Sequence, residues 1–375
     1  MLCGDRPAVA LGNGPAHQNS VSMRIGITLI FIRRMNSSLF LPIRALALGF
    51  SLAAASLVAM AQSAAPAEGI VVYNAQHASL TRAWAEGFTR STGIKVTLRN
   101  GGDTELGNQI VQEGAASPAD VFLTENSPAI ALVDGAGLFA PVDAGTIAQV
   151  PAAYRPAHGR WVGIAARSTV FVYNKSKLAP AQLPRSLLHL ASPAWKGRWA
   201  ASPTGADFQA IVSALLELKG EATTLDWLKA MKQNAVAIRG NANAMKAVNA
   251  GQVDGALIYH YYWFADQAKT GENSSNTASH YFRNQDPGAF VSISGGGVLA
   301  TSKHKPQAQA FLKWITGKGG QDILRTGDAY EYAVGVGAAS HPKLVPLPEL
   351  QAPAVEPSRL NSKKVNELMT QAGLL

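Results

Sequence analysis

The feature that most constrains this chain is an alternation in its first ordered third. Residues 70–73 form a short apolar run, 95–99 another and 120–124 a third. Between them lie segments with helical spacing. Leu80, Trp84 and Phe88 recur every fourth residue, and Ser79 can cap that segment while Gly93 ends it. Asp103 can cap the next, with Leu106 and Ile110 on one face and Gly114 at its close. Pro128 starts a further helix that ends near Gly135. Strand, helix, strand, helix, strand, helix is the signature of a parallel sheet wrapped by helices. In such sheets ligands bind beyond the carboxyl ends of the strands.

The pattern returns later. Residues 161–174 supply strand material interrupted by Arg167-Ser168. Helices are expected over 208–219, from Thr224, over 242–250, from Pro306 and over 362–375, with a strand at 236–239. Residues 270–279 read as a polar loop, residues up to Ser294 as β-rich, and 328–332 as a loop. At 375 residues the chain exceeds one typical domain, so two lobes are expected.

Residues 45–60 form the only long apolar segment, 16 residues behind Arg44 that end in Ala59-Met60-Ala61. A basic start, an apolar centre and an A-x-A site describe an export signal, too short for a membrane span. Cleavage is expected after Ala61, with Met35 or Met23 as the true start. The one cysteine, Cys3, falls in the part removed. Of 33 basic and 24 acidic residues, five arginines and one aspartate lie in 1–61, which leaves 28 against 23. That mild excess has no Lys/Arg cluster, so no nucleic-acid footprint is present. Neither G-x-S-x-G nor H-E-x-x-H occurs, which argues against a secreted hydrolase.

Three groups of residues carry chemistry. Tyr261 and Tyr262 stand where the strand at 254–258 gives way to a helix over 263–269. Within a strand two neighbours point to opposite faces, but at such a corner they can converge. Paired phenols suit a hard, highly charged cation, which would lower their pKa from about 10; ferric iron is the natural extension. Taken alone, an aromatic run is more often core. His77 and Glu125 each follow a strand's carboxyl end. A solvated loop histidine and a dipole-favoured acid at a helix start are the plain alternatives. Thr204, Gly205 and Ala206, before the helix at 208, offer N–H groups as an anion cradle, and an ordinary Thr/Asp cap explains them equally well.

Val71 to His77 (VVYNAQH), Pro118 to Glu125 (PADVFLTE), Tyr261-Tyr-Trp263 and Gln285 to Gly288 (QDPG) together resemble the periplasmic ferric-iron-binding proteins. The resemblance runs from about Gly69 to the carboxyl end. It implies an α/β, two-lobed periplasmic binding protein of type II, each lobe a mostly parallel sheet wrapped by helices, joined by a hinge. The first lobe would hold 69–167 and 295–340, the second 168–294 and 341–375. It implies a monomeric periplasmic receptor, not an enzyme, that delivers Fe(III) to an inner-membrane ABC permease. His77, Glu125, Tyr261 and Tyr262 would hold the metal. Thr204, Gly205, Ala206 and Asn241, assisted by Arg167, would hold a synergistic phosphate or carbonate. Tyr259 and His260 stand where some members carry asparagine, and Asn126 where glutamine is common. The competing reading keeps the fold and gives the aromatic run a sugar, polyamine or phosphonate to stack on.

Overall fold

The computed structural model describes residues 69–375. The expected extension and signal segment, with its cleavage after Ala61, lie outside those residues.

Two parallel strand trios flank an antiparallel pair. β1 (Ile70–Asn74) runs parallel to β2 (Val96–Asn100) on one side and β3 (Val121–Leu123) on the other. β5 (Trp199–Ala201) runs parallel to β6 (Ala235–Ala237) and β7 (Gly255–Tyr259). Between the trios lie β4 (Val162–Asn174) and β9 (Val291–Val298), antiparallel to each other. The path is β2-β1-β3-β9-β4-β7-β5-β6.

β4 joins the halves by changing partners. Up to Ser168 it pairs with β9, and from Thr169 it pairs with β7. The sequence suggested a break at Arg167-Ser168, yet the strand runs through it with Arg167 fully buried. The ion pair between Arg167 Nη2 and Glu331 Oε2, 2.9 Å, is what makes a buried guanidinium tolerable there.

The first helix, α1 (Ala78–Thr92), buries Leu80, Trp84 and Phe88, the stripe that its spacing predicts. Phe88 meets Phe311 edge-on at 5.1 Å, from the helix α7 (Lys305–Thr316). Gly93 closes α1 at φ 75°, and its N–H donates to Thr89 O. Next come α2 (Asp103–Glu113) and α3 (Ser127–Gly135).

Several expectations shift in detail. Neither Ser79 nor Asp103 caps its helix: His77 and Gly102 hold the cap positions, and Asp103 turns elsewhere. The helices expected at 208 and 224 form one run, α4 (Ala206–Asn234), kinked at Gly220 with φ 77° and ψ 173°. The supposed loop at 270–279 ends in an edge strand, β8 (Thr277–His280), paired with β4. Its sequence, Thr-Ala-Ser-His, lacks the apolar alternation that would reveal it. A helix at α8 (Lys318–Thr326) escaped notice because Gly319 and Gly320 mask its propensity. The other long helices are α5 (Asn241–Asn249), α6 (His260–Lys269) and α9 (Ser362–Gln371), besides a single turn at Ala144–Ile147.

Candidate metal centre

The parallel trios turn their carboxyl ends toward a common cluster. His77 follows β1, and Glu125 follows β3. Asp207 stands at the second position of α4, after β5, and Asn241 opens α5, after β6. Tyr261 and Tyr262 occupy the first turn of α6, directly after β7. Glu331 comes from the segment after α8, where Tyr332 bridges to Ala166 of β4.

The two phenols converge. Their rings lie 4.3 Å apart between centroids. Tyr261 OH donates to Glu125 Oε1 at 2.7 Å. Both hydroxyls reach Asp207 Oδ2, Tyr261 at 3.3 Å and Tyr262 at 3.1 Å. Asn241 Nδ2 donates to the same oxygen at 2.7 Å. Asn126 Nδ2 bridges Asp207 Oδ1 at 3.0 Å and Asp103 Oδ2 at 2.9 Å. Asp103 Oδ1 in turn accepts from the Glu125 N–H at 2.9 Å, which explains why it does not cap α2. His77 stands edge-on to Tyr261 at 4.6 Å. Its Nε2 lies 3.3 Å from Glu125 Oε1 and 3.1 Å from Glu331 Oε1, ion-pair contacts without hydrogen-bond alignment.

These residues divide the charge unevenly. Burial would lift the Glu125 carboxyl, but Arg167, His77 and Tyr261 hold it down at about 2. Burial would lower the His77 imidazole, but Glu125 and Glu331 push it up to about 10. Burial and the Glu125 charge raise Asp207 to about 6 and Asp103 to about 7. Burial, then Asp207 and Glu125, raise both Tyr261 and Tyr262, so these phenols keep their protons at neutral pH. Burial opposes the Arg167 charge, and Glu331 and Glu125 restore it.

His77, Glu125 and Glu331 present one donor atom each within 4.8 Å of one another. With two phenol oxygens and the Asp207 carboxylate alongside, the donor set is oxygen-rich with one nitrogen, which suits a hard cation. Of the residues expected around an anion, Asn241 meets this cluster through Asp207, and Arg167 Nε lies 3.8 Å from Glu125 Oε1. Thr204 is exposed, and with Gly205 it lines a separate recess alongside Ser202 and Arg239. Ala206, Asp103 and Asn126 line a cavity of about 790 Å³ between α2, α3, α4 and α9.

Sequence reasoning missed Asp207 and Glu331. Asp207 was legible only as a helix-start acid, although it shares with His77 and Glu125 a place just past a strand's carboxyl end. Glu331 lies between two aromatics, Tyr330 and Tyr332, all three buried, and nothing in the sequence marks that loop as interior.

Residues 116–355 match the model of the bacterial extracellular solute-binding protein family. An Fe(3+)-binding periplasmic protein from Serratia marcescens is 74% identical over 315 residues, 84% of this chain and 93% of that one. The major ferric iron-binding protein of Neisseria gonorrhoeae is 38% identical over 328 residues, 87% and 98% of the two chains. Among solved structures, iron-bound HitA from Pseudomonas aeruginosa superposes with a TM-score of 0.78 at 40% identity, over 82% of this chain and all of that one. The architecture is thus the two-lobed type II periplasmic binding fold, and its relatives are binding proteins rather than enzymes. This chain belongs to the bacterial extracellular solute-binding proteins, within the family of periplasmic ferric-iron-binding proteins.

Proposed function

We propose that this protein captures Fe(III) in the periplasm and delivers it, as a monomer, to an inner-membrane ABC permease. Tyr261 and Tyr262 bind the ion as phenolates, with Glu125 and His77 from the opposite rim. The observation that carries this reading is the convergence of side chains from the carboxyl ends of strands in both parallel trios. In that cluster Tyr261 OH lies 2.7 Å from Glu125 Oε1, and both phenols share Asp207 Oδ2. Residues 69–167 with 295–340 form the lobe that carries His77, Glu125 and Glu331. Residues 168–294 with 341–375 form the lobe that carries Asp207 and the tyrosines. Export depends on the segment ending at Ala61.

Asp207 completes the donor set and fills the role expected of a phosphate or carbonate. It sits in the first turn of α4, where the dipole favours an anion, and the amides of Asn126 and Asn241 clamp it. Two phenolates, Glu125 and Asp207 carry four negative charges against the three of Fe(III). The Arg167 guanidinium is already paired with Glu331 at 2.9 Å, so the surplus stays with the site. A free anion would add to that surplus, so Thr204, Gly205 and Ala206 are not called on to hold one. Release follows when protons return to the phenols, when iron is reduced, or when the lobes part.

The test is Asp207→Asn. Without added phosphate or carbonate, iron retention against citrate falls at least tenfold, and added anion restores part of it. Unchanged retention in anion-free buffer would show that Asp207 is no ligand.

A further inference from the structure

We propose that Glu331 is a positioning residue that holds His77 aimed at the metal before the metal arrives. The inference rests on the Fe(III) reading above. Glu331 grips His77 at two points. Its Oε2 accepts from Gln76 Nε2 at 3.1 Å, and Gln76 Oε1 accepts the His77 backbone N–H at 2.6 Å. Its Oε1 lies 3.1 Å from the ring Nε2. The backbone contact fixes where the residue starts, and the ring contact fixes where it points.

Glu331 is itself held fast from behind. Its side chain is fully buried. Oε2 takes Arg167 Nη2 at 2.9 Å and Ser294 Oγ at 3.1 Å, besides Gln76. Ser294 Oγ also accepts from Gln76 Nε2 at 2.8 Å. Arg167 lies on β4 and Ser294 on β9, the two central strands, so the carboxylate is anchored to the middle of the sheet. Oε1 has no aligned hydrogen bond among the described residues and lies against the imidazole Nε2. A buried carboxylate oxygen is costly to leave unmet, and the charged imidazole beside it offsets that cost.

Without this hold His77 would have little else. Its side chain is 29% exposed, and its other carboxylate neighbour, Glu125 at 3.3 Å, is itself committed to the metal. Glu331 and Glu125 both face Nε2, so the ring already turns its metal-binding nitrogen into the cluster, and the ion would replace the proton held there. Pre-aiming the ring removes an ordering cost from the binding step.

A double-mutant cycle tests this: wild type, Glu331→Gln, His77→Ala and the double variant, each loaded with Fe(III) and titrated with citrate. Glu331→Gln is expected to lower iron retention about three- to tenfold and to shift the visible iron–phenolate band toward its position in His77→Ala. In the His77→Ala background it is expected to change neither. An equal loss with and without His77, or no loss in either, overturns the proposal. Glu331→Asp keeps the charge opposite Arg167 while drawing Oε1 back from the ring. It is expected to show a smaller loss that also vanishes without His77, and it supplies the cycle should the glutamine variant not fold. If wild type shows no iron band, the Fe(III) reading fails. If wild type shows the band and Glu331→Gln matches it in every respect, only the positioning role fails.

Discussion

At the scale of single residues, the proposed Fe(III) site is a set of protons that the metal would displace. Without iron, Tyr261 donates to Glu125, Tyr262 donates to Asp207, and His77 lies against two carboxylates. Both phenols are raised, and the imidazole holds its proton up to about pH 10. Groups that bind protons in the empty site must give them up to the ion, so affinity rises with pH. Three displaced protons give a slope of about a thousandfold per pH unit near neutrality. Below about pH 6 Asp207 also gains a proton, and the slope steepens. Calorimetry of iron loading in buffers of different protonation enthalpy should report about three protons released per ion. A count below two would contradict the assignment of the phenols and His77.

What could be read from single residues follows the same line. That Tyr261, Tyr262, His77 and Glu125 come together was legible because each follows a strand's carboxyl end. Asp207 obeys the same rule but looks like any acid in a helix's first turn. Glu331 could not be found, since its place depends on a loop folding back over β4 and β9. Burial of that kind follows from tertiary contacts with Arg167 and Ser294, not from local pattern.

At the scale of elements, the sequence carried the strand–helix alternation and lost the exceptions. α1 is legible because Trp84 and Phe88 repeat at helical spacing; Phe88 packs against α7, and Trp84 Nε1 donates to Gly320 O of α8. β4 was broken in two on paper because an arginine inside an apolar run reads as an end. The fold keeps the strand whole by pairing that arginine with Glu331. The kink in α4 is another such point. Gly220 adopts φ 77° and ψ 173°, a region that only glycine visits cheaply. Gly220→Ala should cost about 1–3 kcal/mol of stability, seen as a lower denaturation midpoint, with the iron band unaltered. Nothing lies within 4 Å of the added Cβ, so a neutral outcome would mean that the helix re-forms around the site.

At the scale of the whole molecule, two parallel trios share the antiparallel pair β4 and β9, and the cluster is drawn from both sides of that junction. On the proposed reading, an ion held by His77 and Glu125 on one side and by Asp207, Tyr261 and Tyr262 on the other would tie the halves together. Loading should therefore raise the thermal midpoint. At a free ion concentration a hundred times the dissociation constant, the gain is about 2.7 kcal/mol. Asp207→Asn should lose most of that gain while its metal-free midpoint stays near wild type.

The central claim is that the paired phenols bind ferric iron, and a visible-light titration tests it most directly. Purified protein is titrated with Fe(III) supplied as a weak chelate, alongside Tyr261→Phe, Tyr262→Phe and the double variant. The account predicts a phenolate-to-iron charge-transfer band that saturates at one ion per chain, weakens in each single variant and disappears in the double one. No band in wild type, or an equal band in the double variant, would contradict it.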